Sequence, residues 1–151
     1  MKKTQSGFTL IELMVVVVVA AILAMISTAG YGMFVDRAKV ARATGDIGEI
    51  HIALQKFLLT RPGSFPPDLS VLGLDTLIDP WGNPYQYLVV EGLDNNGAVR
   101  KDKNLVPVNK QYDVYSMGKD GVTASPFTST LGKDDVVMAG DGTYFGLAED
   151  H

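Results

Sequence analysis

The chain has no cysteine among its 151 residues. A disulfide-held fold, a thiolate nucleophile and a metal site held by cysteine are therefore all excluded. Positive charge is also scarce, because 13 Lys and Arg face 17 Asp and Glu, giving a net charge of -4. No Lys/Arg cluster interleaved with aromatic residues is present, so we expect no nucleic-acid partner. The length predicts one small domain, with no cleft between two.

The short motifs of common enzymes are missing as well: the sequence has no HExxH, Walker A or GxSxG. Residues 94–97 and 140–146 resemble an EF-hand loop and a glycine-rich fingerprint only superficially, since their ligand and glycine spacings differ. The two histidines, His51 and His151, have no partner at metal-ligand spacing. We therefore predict a protein that is not an enzyme.

Against this polar background stands one long apolar run. Residues 13–26 contain no polar side chain, and the apolar character continues to Val35. As a helix, residues 13–35 rise roughly 34 Å, enough to cross a hydrocarbon core of about 30 Å. A cleaved secretory signal is the alternative, because Lys2 and Lys3 make a basic start. The length of the run and the charge of Glu12 near its start favour a membrane helix.

Glu12 is a candidate functional residue for a physical reason. A carboxylate at membrane depth costs roughly 2.5–3.5 kcal/mol on insertion scales, so a partner for it is expected. The surrounding hexapeptide GFTLIE, residues 7–12, followed by the apolar helix, resembles the class III signal of type IV pilins and their relatives. The resemblance implies that a prepilin peptidase cleaves between Gly7 and Phe8 and methylates the new amine of Phe8. Glu12 would then pair with that amine on a neighbouring subunit and fix the axial offset between subunits.

The apolar spacing continues in narrower form beyond Asp36, at intervals of three and four residues from Ile47 to Leu58. This predicts one helix from about Thr9 to Thr60, roughly 78 Å long, whose second half is amphipathic. The sequence RPG at residues 61–63 ends it.

The remaining residues predict a small antiparallel sheet. Residues 64–77 are predicted to form a loop with a short helical turn, and residues 94–97 a hairpin turn. Strands are predicted at residues 85–91, 105–108, 112–116, and 136–139 or 144–147. We therefore expect an α+β fold, and the resemblance implies that it is type IV pilin-like, with a long N-terminal helix packed on the sheet. We divide the chain into a leader, a transmembrane assembly helix and a periplasmic globular domain, at residues 1–7, 8–35 and 36–151.

Three later segments sharpen the resemblance: DPWGN at residues 79–83, YSMGKDG at 115–121 and GKDDV at 132–136. In this order they resemble the major pseudopilin of the type II secretion system. The resemblance implies a structural calcium ion, with side-chain ligands Asp120, Asp134 and Asp135 and backbone carbonyl ligands Met117 and Val122. Calcium takes 6–8 oxygen ligands, which suits this acidic part of the chain.

The calcium prediction has an alternative. Residues 123–131 are a longer stretch than the family pattern has, which affects the path of the loop that carries Val122. An acidic loop that is solvated and holds no metal is therefore the competing interpretation.

The resemblance also implies a function and partners. The chain would be a processed pseudopilin that polymerises through its helix into a short periplasmic filament and drives export by type II secretion. Its partners would be copies of itself, minor pseudopilins, the inner-membrane assembly platform and the prepilin peptidase. It would cross the bacterial inner membrane once, with the C-terminal domain in the periplasm. A surface type IV pilin is the first alternative, and a membrane-anchored enzyme or binding module that keeps residues 1–7 is the second.

Overall fold

The computed structural model describes residues 7–93 and 97–151, except for the side chains of residues 27–29. The chain forms two compact units, which divide between Arg37 and Ala38. Within the described residues, one α-helix and four β-strands are present: α1 (Leu10–Thr60), β1 (Gln86–Val89), β2 (Tyr112–Ser116), β3 (Val136–Ala139) and β4 (Tyr144–Leu147). Two short 3-10 turns accompany them, at Leu69–Leu72 and Ala148–Asp150.

The first and last turns of α1 follow from local chemistry. Glu12 donates its backbone N–H to Thr9 Oγ1 at 3.3 Å, and the Glu12 carboxylate accepts the backbone N–H of Thr9 at 2.8 Å. This reciprocal arrangement is a capping box, which satisfies N–H groups that have no partner inside the helix. At the other end, Pro62 disfavours the helical conformation of Arg61, and Gly63 turns the chain with a φ of 74°. The predicted helix is confirmed.

The second half of α1 is amphipathic, as its spacing predicts. Ala43, Ile47, Ile50 and Leu54 repeat every three or four residues, and each is fully buried. They join one hydrophobic cluster with inward-facing residues of the sheet: Tyr112, Val114, Val136 and Met138. Two hydrogen bonds fasten the helix further: Gln55 donates to the Tyr112 hydroxyl at 3.0 Å, and the Tyr85 hydroxyl donates to Asp46 at 2.8 Å.

The sheet has the strand order β1-β2-β3-β4, and all neighbouring strands are antiparallel. β3 is buried at every position. Since successive residues of a strand face opposite sides of the sheet, both sides must be covered at this strand. Val136 and Met138 belong to the cluster beneath α1, whereas Val137 and Ala139 join a second cluster that includes Phe127. The long loop that contains Phe127 thus covers the side of the sheet that α1 leaves open.

The strand predictions are confirmed in part. β2 forms over the predicted residues, β1 is shorter than predicted, and residues 136–139 and 144–147 both form strands. The short helical turn predicted within residues 64–77 is the 3-10 turn Leu69–Leu72.

The strand predicted at residues 105–108 is wrong. Leu105 makes only an isolated bridge to Asp102, closed by reciprocal backbone hydrogen bonds across a tight turn in which Lys103 has a φ of 47°. Pro107 has no N–H to donate to a ladder. The predicted hairpin turn includes residues 94–96, which lie outside the described residues. β1 is followed in the sheet by β2, which begins only at Tyr112, so a two-residue hairpin does not connect these strands.

Candidate functional site

The first half of α1 presents an uncovered apolar surface in the isolated chain. Its large apolar side chains before residue 27 are between 49% and 77% exposed. The helix is apolar and long enough to cross a membrane, and no residue of its most apolar 18-residue stretch is buried. A surface of this size and character marks contact with a membrane or with other proteins. The length and apolar character of the N-terminal helix suit a membrane anchor.

Glu12 lies at the start of this surface and supplies the only acidic side chain of the first turn of α1. Besides the backbone N–H of Thr9, its carboxylate accepts the Thr9 hydroxyl at 2.6 Å. A negative charge at this end of a helix is also favoured by the helix dipole. Gly7 and Phe8 are exposed just before α1, and Phe8 is 86% exposed. The peptide bond between them is thus in an accessible segment, and cleavage there stays a prediction.

The first of the three later segments is wound around one buried carboxylate. Asp79, 3% exposed, accepts the backbone N–H groups of Trp81 at 3.0 Å and Asn83 at 2.8 Å. Its other oxygen accepts the hydroxyl of Ser116 at 2.5 Å. DPWGN is therefore a tight turn that is fixed to the last residue of β2. The resemblance indicated these residues, but their contact is visible only in the fold.

The three segments converge on Gly118. Asn83 donates its side-chain amide to the Gly118 carbonyl at 3.3 Å, and Gly118 donates its N–H to Ser116 Oγ at 3.1 Å. Gly118 has a φ of 66°, and a Cβ placed on it would lie 2.3 Å from the carbonyl oxygen of Asp134. Only glycine allows this approach. DPWGN, YSMGKDG and GKDDV thus build one structural junction.

Two of the predicted calcium ligands lie in this junction and bind backbone N–H groups. The Asp134 carboxylate accepts the N–H of Lys119 at 2.9 Å and that of Asp120 at 3.2 Å. Asp120 accepts the N–H of Val122 at 2.8 Å. Met117 and Val122, the predicted carbonyl ligands, belong to the same loop. These carboxylates already order the loop through hydrogen bonds.

Asp135, the third predicted carboxylate ligand, faces another partner. Its side chain is fully buried and forms an ion pair with Arg100, whose side chain is 4% exposed. Thr123 also donates its hydroxyl to the Asp135 carboxylate at 2.5 Å. Burial raises the pKa of Asp135, whereas the hydrogen bonds from Thr123 and Arg100 act to lower it. Sequence reasoning gave Arg100 no role, because a lone arginine in a polar stretch carries no periodic or motif signal.

This donor set does not fit a calcium ion shared by all three carboxylates. Calcium would have to approach Asp135 against the charge of the Arg100 guanidinium. Within residues 7–93 and 97–151, no group of three or more His, Asp or Glu side chains is placed to hold a metal ion. The calcium site stays a prediction from the resemblance.

The two histidines lie in separate places. His51 Nδ1 is 3.0 Å from the Tyr112 hydroxyl, and the ring packs edge-on against Phe145. His151 Nδ1 is 3.3 Å from Asp102 Oδ2. Burial lowers the pKa of His51, against the raising effect of the charge on Asp141.

Comparison with known proteins supports the resemblance that the N-terminal residues indicate. Residues 2–28 match the family model of the prokaryotic N-terminal methylation motif. The chain is 35% identical over 144 residues to the type II secretion system core protein G of Pseudomonas aeruginosa. The matched region covers 80% of this chain and 87% of that protein. It is 31% identical over 143 residues to the core protein G of Aeromonas hydrophila, with 80% and 87% covered. Similarity to the type IV major fimbrial protein FimA of Dichelobacter nodosus reaches 42% over 125 residues, with 83% and 74% covered. No solved structure matches the chain.

Proposed function

Since the chain belongs to the family of the type II secretion system core protein G, we propose that it drives protein export together with minor pseudopilins and an inner-membrane assembly platform. It is a structural subunit of the pseudopilus, a filament that assembles from copies of the chain. Its relatives are structural subunits, and we propose that the chain has no catalytic activity of its own. The C-terminal unit, Ala38–His151, would lie in the periplasm.

The observation that carries this proposal is the uncovered apolar half of α1. A helix that is apolar on all faces is stable only when it is buried, in a bilayer or in a protein core. A single subunit can bury this surface only in lipid, where α1 is long enough to span. To leave the bilayer, the helix must be buried against other copies. Membrane anchoring and polymerisation are two solutions for the same surface.

Processing at the N-terminus would create a free amine on Phe8, and this amine would favour the polymerised state over the membrane-anchored one. Cleavage after Gly7 gives Phe8 a cationic amine, and the matched methylation motif includes both residues and Glu12. In the isolated subunit the Glu12 carboxylate is satisfied by Thr9. In a filament the amine of a neighbouring Phe8 would be its partner, because an unpaired charge in apolar surroundings is strongly penalised. Each incoming subunit would then be held at one axial offset.

The capping box makes a sharp experiment possible, because glutamine caps a helix as glutamate does but carries no charge. We expect Glu12→Gln to give a subunit that is processed, methylated and inserted in the membrane, yet forms filaments at a yield lower by more than about tenfold. Thr9→Val is the matched control, since it removes the hydroxyl from the cap and keeps the carboxylate; its filament yield should stay close to that of the wild type. The measurement is the amount of pelleted filament per cell, with intact mass reporting the loss of residues 1–7 and the gain of one methyl group.

Two results would count against this assignment. Wild-type filament yield from Glu12→Gln would show that the carboxylate acts only as a helix cap. Residues 1–7 retained in a host with prepilin peptidase would show that α1 is an anchor without processing, as in a membrane-bound enzyme or binding module.

A surface type IV pilin is the second candidate, and the 42% identity to a fimbrial protein favours it. The two functions differ in where the C-terminal unit is exposed. Protease added to intact cells digests the domain of a surface pilin, whereas a pseudopilin domain is digested only after the outer membrane is opened. Digestion in intact cells would therefore select the pilin.

A further inference from the structure

Arg100 lies at the centre of a cage of oxygen atoms in the C-terminal unit. It is 3% exposed. One terminal nitrogen of its guanidinium donates to the Thr123 hydroxyl and to the Ala124 carbonyl, each at 2.7 Å, and the other donates to the Asp135 carboxylate. A carboxylate, a hydroxyl and a backbone carbonyl are the oxygen types that a hard cation such as calcium also takes. The guanidinium therefore occupies a position whose oxygen atoms could otherwise bind a metal cation.

The aromatic neighbours of Arg100 also suit a buried positive charge. Its guanidinium carbon lies 4.0 Å from the centre of the Tyr115 ring and 5.6 Å from that of Phe127. Both distances allow attraction to the negative face of the ring. Because Tyr115 belongs to β2 and Phe127 to the loop across the sheet, the charge connects the two.

The backbone holds Arg100 in this position. Its N–H donates to the buried carboxylate of Asp113 at 2.9 Å, and its carbonyl accepts the N–H of Val108 at 2.9 Å. Lys101 next to it exchanges backbone hydrogen bonds with the loop, donating to Ser125 at 3.1 Å and accepting from Phe127 at 2.9 Å. Backbone hydrogen bonds of Arg100 and of the neighbouring Lys101 therefore hold the arginine in place, in addition to its side-chain contacts.

One loop supplies two of the three oxygen groups around Arg100 and one of its aromatic rings. Thr123, Ala124 and Phe127 all lie in residues 123–131. This segment packs against Arg100, where it delivers a hydroxyl, a carbonyl and an aromatic ring. The loop and the buried arginine are thus parts of one arrangement.

We propose that the Arg100 guanidinium is the built-in cation of the C-terminal loop, in place of the calcium ion that the resemblance implies, so that the fold of this unit is independent of calcium. Arginine suits this role because its charge persists at all physiological pH values and its planar donors reach several oxygens at once. The inference concerns the stability of the domain and does not rest on the proposed function.

The test is the thermal unfolding of the full-length protein in detergent micelles, followed by the fluorescence of its single tryptophan, Trp81. We expect the wild-type midpoint in excess calcium chloride and in chelator to agree within about 2 °C. Arg100→Met should lower the midpoint by roughly 10 °C or more, because it leaves the Asp135 carboxylate buried without a counter-charge. Lys103→Met, which removes an exposed positive charge from the same segment, should change it by less than about 2 °C.

A double variant separates the charge from the packing of Arg100. Arg100→Met combined with Asp135→Asn should recover at least about half of the loss in midpoint, since no unpaired carboxylate remains. If Arg100→Met does not accumulate, Arg100→Lys keeps a charge and should fold, with a lower midpoint that is equal in calcium and chelator.

Two results would overturn the proposal. One is a calcium-dependent rise of the wild-type midpoint by more than about 5 °C that Asp135→Asn abolishes, since a ligand that stabilises the fold must bind to it. The other is an Arg100→Met midpoint equal to that of Lys103→Met. Either would show that the guanidinium is not the cation of this loop.

Discussion

The two halves of α1 have the same backbone and opposite surroundings. Before Arg37, large apolar side chains stand on every face of the helix and are exposed. From Ala38 onwards one stripe of the helix is covered, and Ala43, Ile47, Ile50 and Leu54 on that stripe are fully buried, whereas Ile52 and Leu59 on other faces stay exposed. The comparison shows that one continuous helix carries two surfaces: one is already buried in its own domain, and the other requires lipid or further copies of the chain.

Carboxylates follow the same division. Glu12, in the first unit, is satisfied three residues away by Thr9. In the second unit, the buried carboxylates also bind residues distant in sequence: Asp79 accepts the hydroxyl of Ser116 besides two local N–H groups, and Asp135 pairs with Arg100. The carboxylate of the first unit is thus bound within one helical turn, whereas those of the second unit connect segments far apart in the sequence.

The largest difference between the two halves is expected from one substitution made in each. Ile47→Ala should lower the free energy of unfolding of the C-terminal unit by about 2–5 kcal/mol, because it opens a cavity in a closed core. Ile22→Ala, at a side chain that is 53% exposed, should leave that unfolding unchanged. Denaturant titration of both variants in detergent, read by Trp81 fluorescence, measures the two values. Equal losses would contradict the independence of the two halves.

A smaller loss is expected at the buried junction of the C-terminal unit. Asp79→Asn should cost about 1–3 kcal/mol of stability, because the amide places N–H donors among groups that donate to the carboxylate. Asp75→Asn, at an exposed aspartate in the same connection, should change stability by less than about 0.5 kcal/mol. The same denaturant titration compares them. A neutral Asp79→Asn would show that the hydrogen bonds of this turn are dispensable.

The smallest effect is expected from pH. Burial lowers the pKa of His51 in the folded chain, so the unfolded chain, with an ordinary pKa of about 6.5, takes up the proton first. Stability is then complete above that pH and falls by less than about 1 kcal/mol as the pH drops from 7 to 5.5, because solvent screens this half-buried group. The fall should be absent in His51→Gln.

That control is needed because other groups next to His51 or in the core also titrate. Asp141 and Tyr112 are its charged and titratable neighbours. Asp113 and Asp135 have pKa values raised by burial, so their effect is opposite in sign and favours the folded state at more acidic pH. An equal fall in wild type and His51→Gln would show that His51 does not cause it, whereas an equal rise towards acidic pH in both would assign the pH dependence to Asp113 and Asp135.

Periodicity predicted the regular elements of the fold well. The helix and β2 follow directly from apolar spacing, and residues 136–139 and 144–147, predicted as alternatives, pair with each other as β3 and β4. The strand predicted at residues 105–108 failed because its apolar residues lie in a tight turn and a loop, where alternation has no structural meaning. The N-terminal motif was recognisable because its chemistry is local, within residues 7–12.

The partners of the buried charges could not be predicted in this way. The resemblance implies that Asp135 is a calcium ligand, which stays a prediction, and the fold places its carboxylate against Arg100, 35 residues earlier in the chain. Nothing in the spacing of a single arginine signals such a contact. The fold also brings residues 123–131 into this contact, through the hydroxyl of Thr123 and the carbonyl of Ala124.

The sheet order has a consequence for a protein that is carried in many copies along a polymer. β1 and β4 are the outer strands, and each has four residues. Outer strands invite adhesion between neighbouring sheets, and natural proteins limit it with short strands, proline and charge. Here Pro84 precedes β1, and the acidic residues Glu149 and Asp150 follow β4. Such borders discourage sheet-to-sheet aggregation among crowded subunits, which leaves the cohesion of the polymer to the helices.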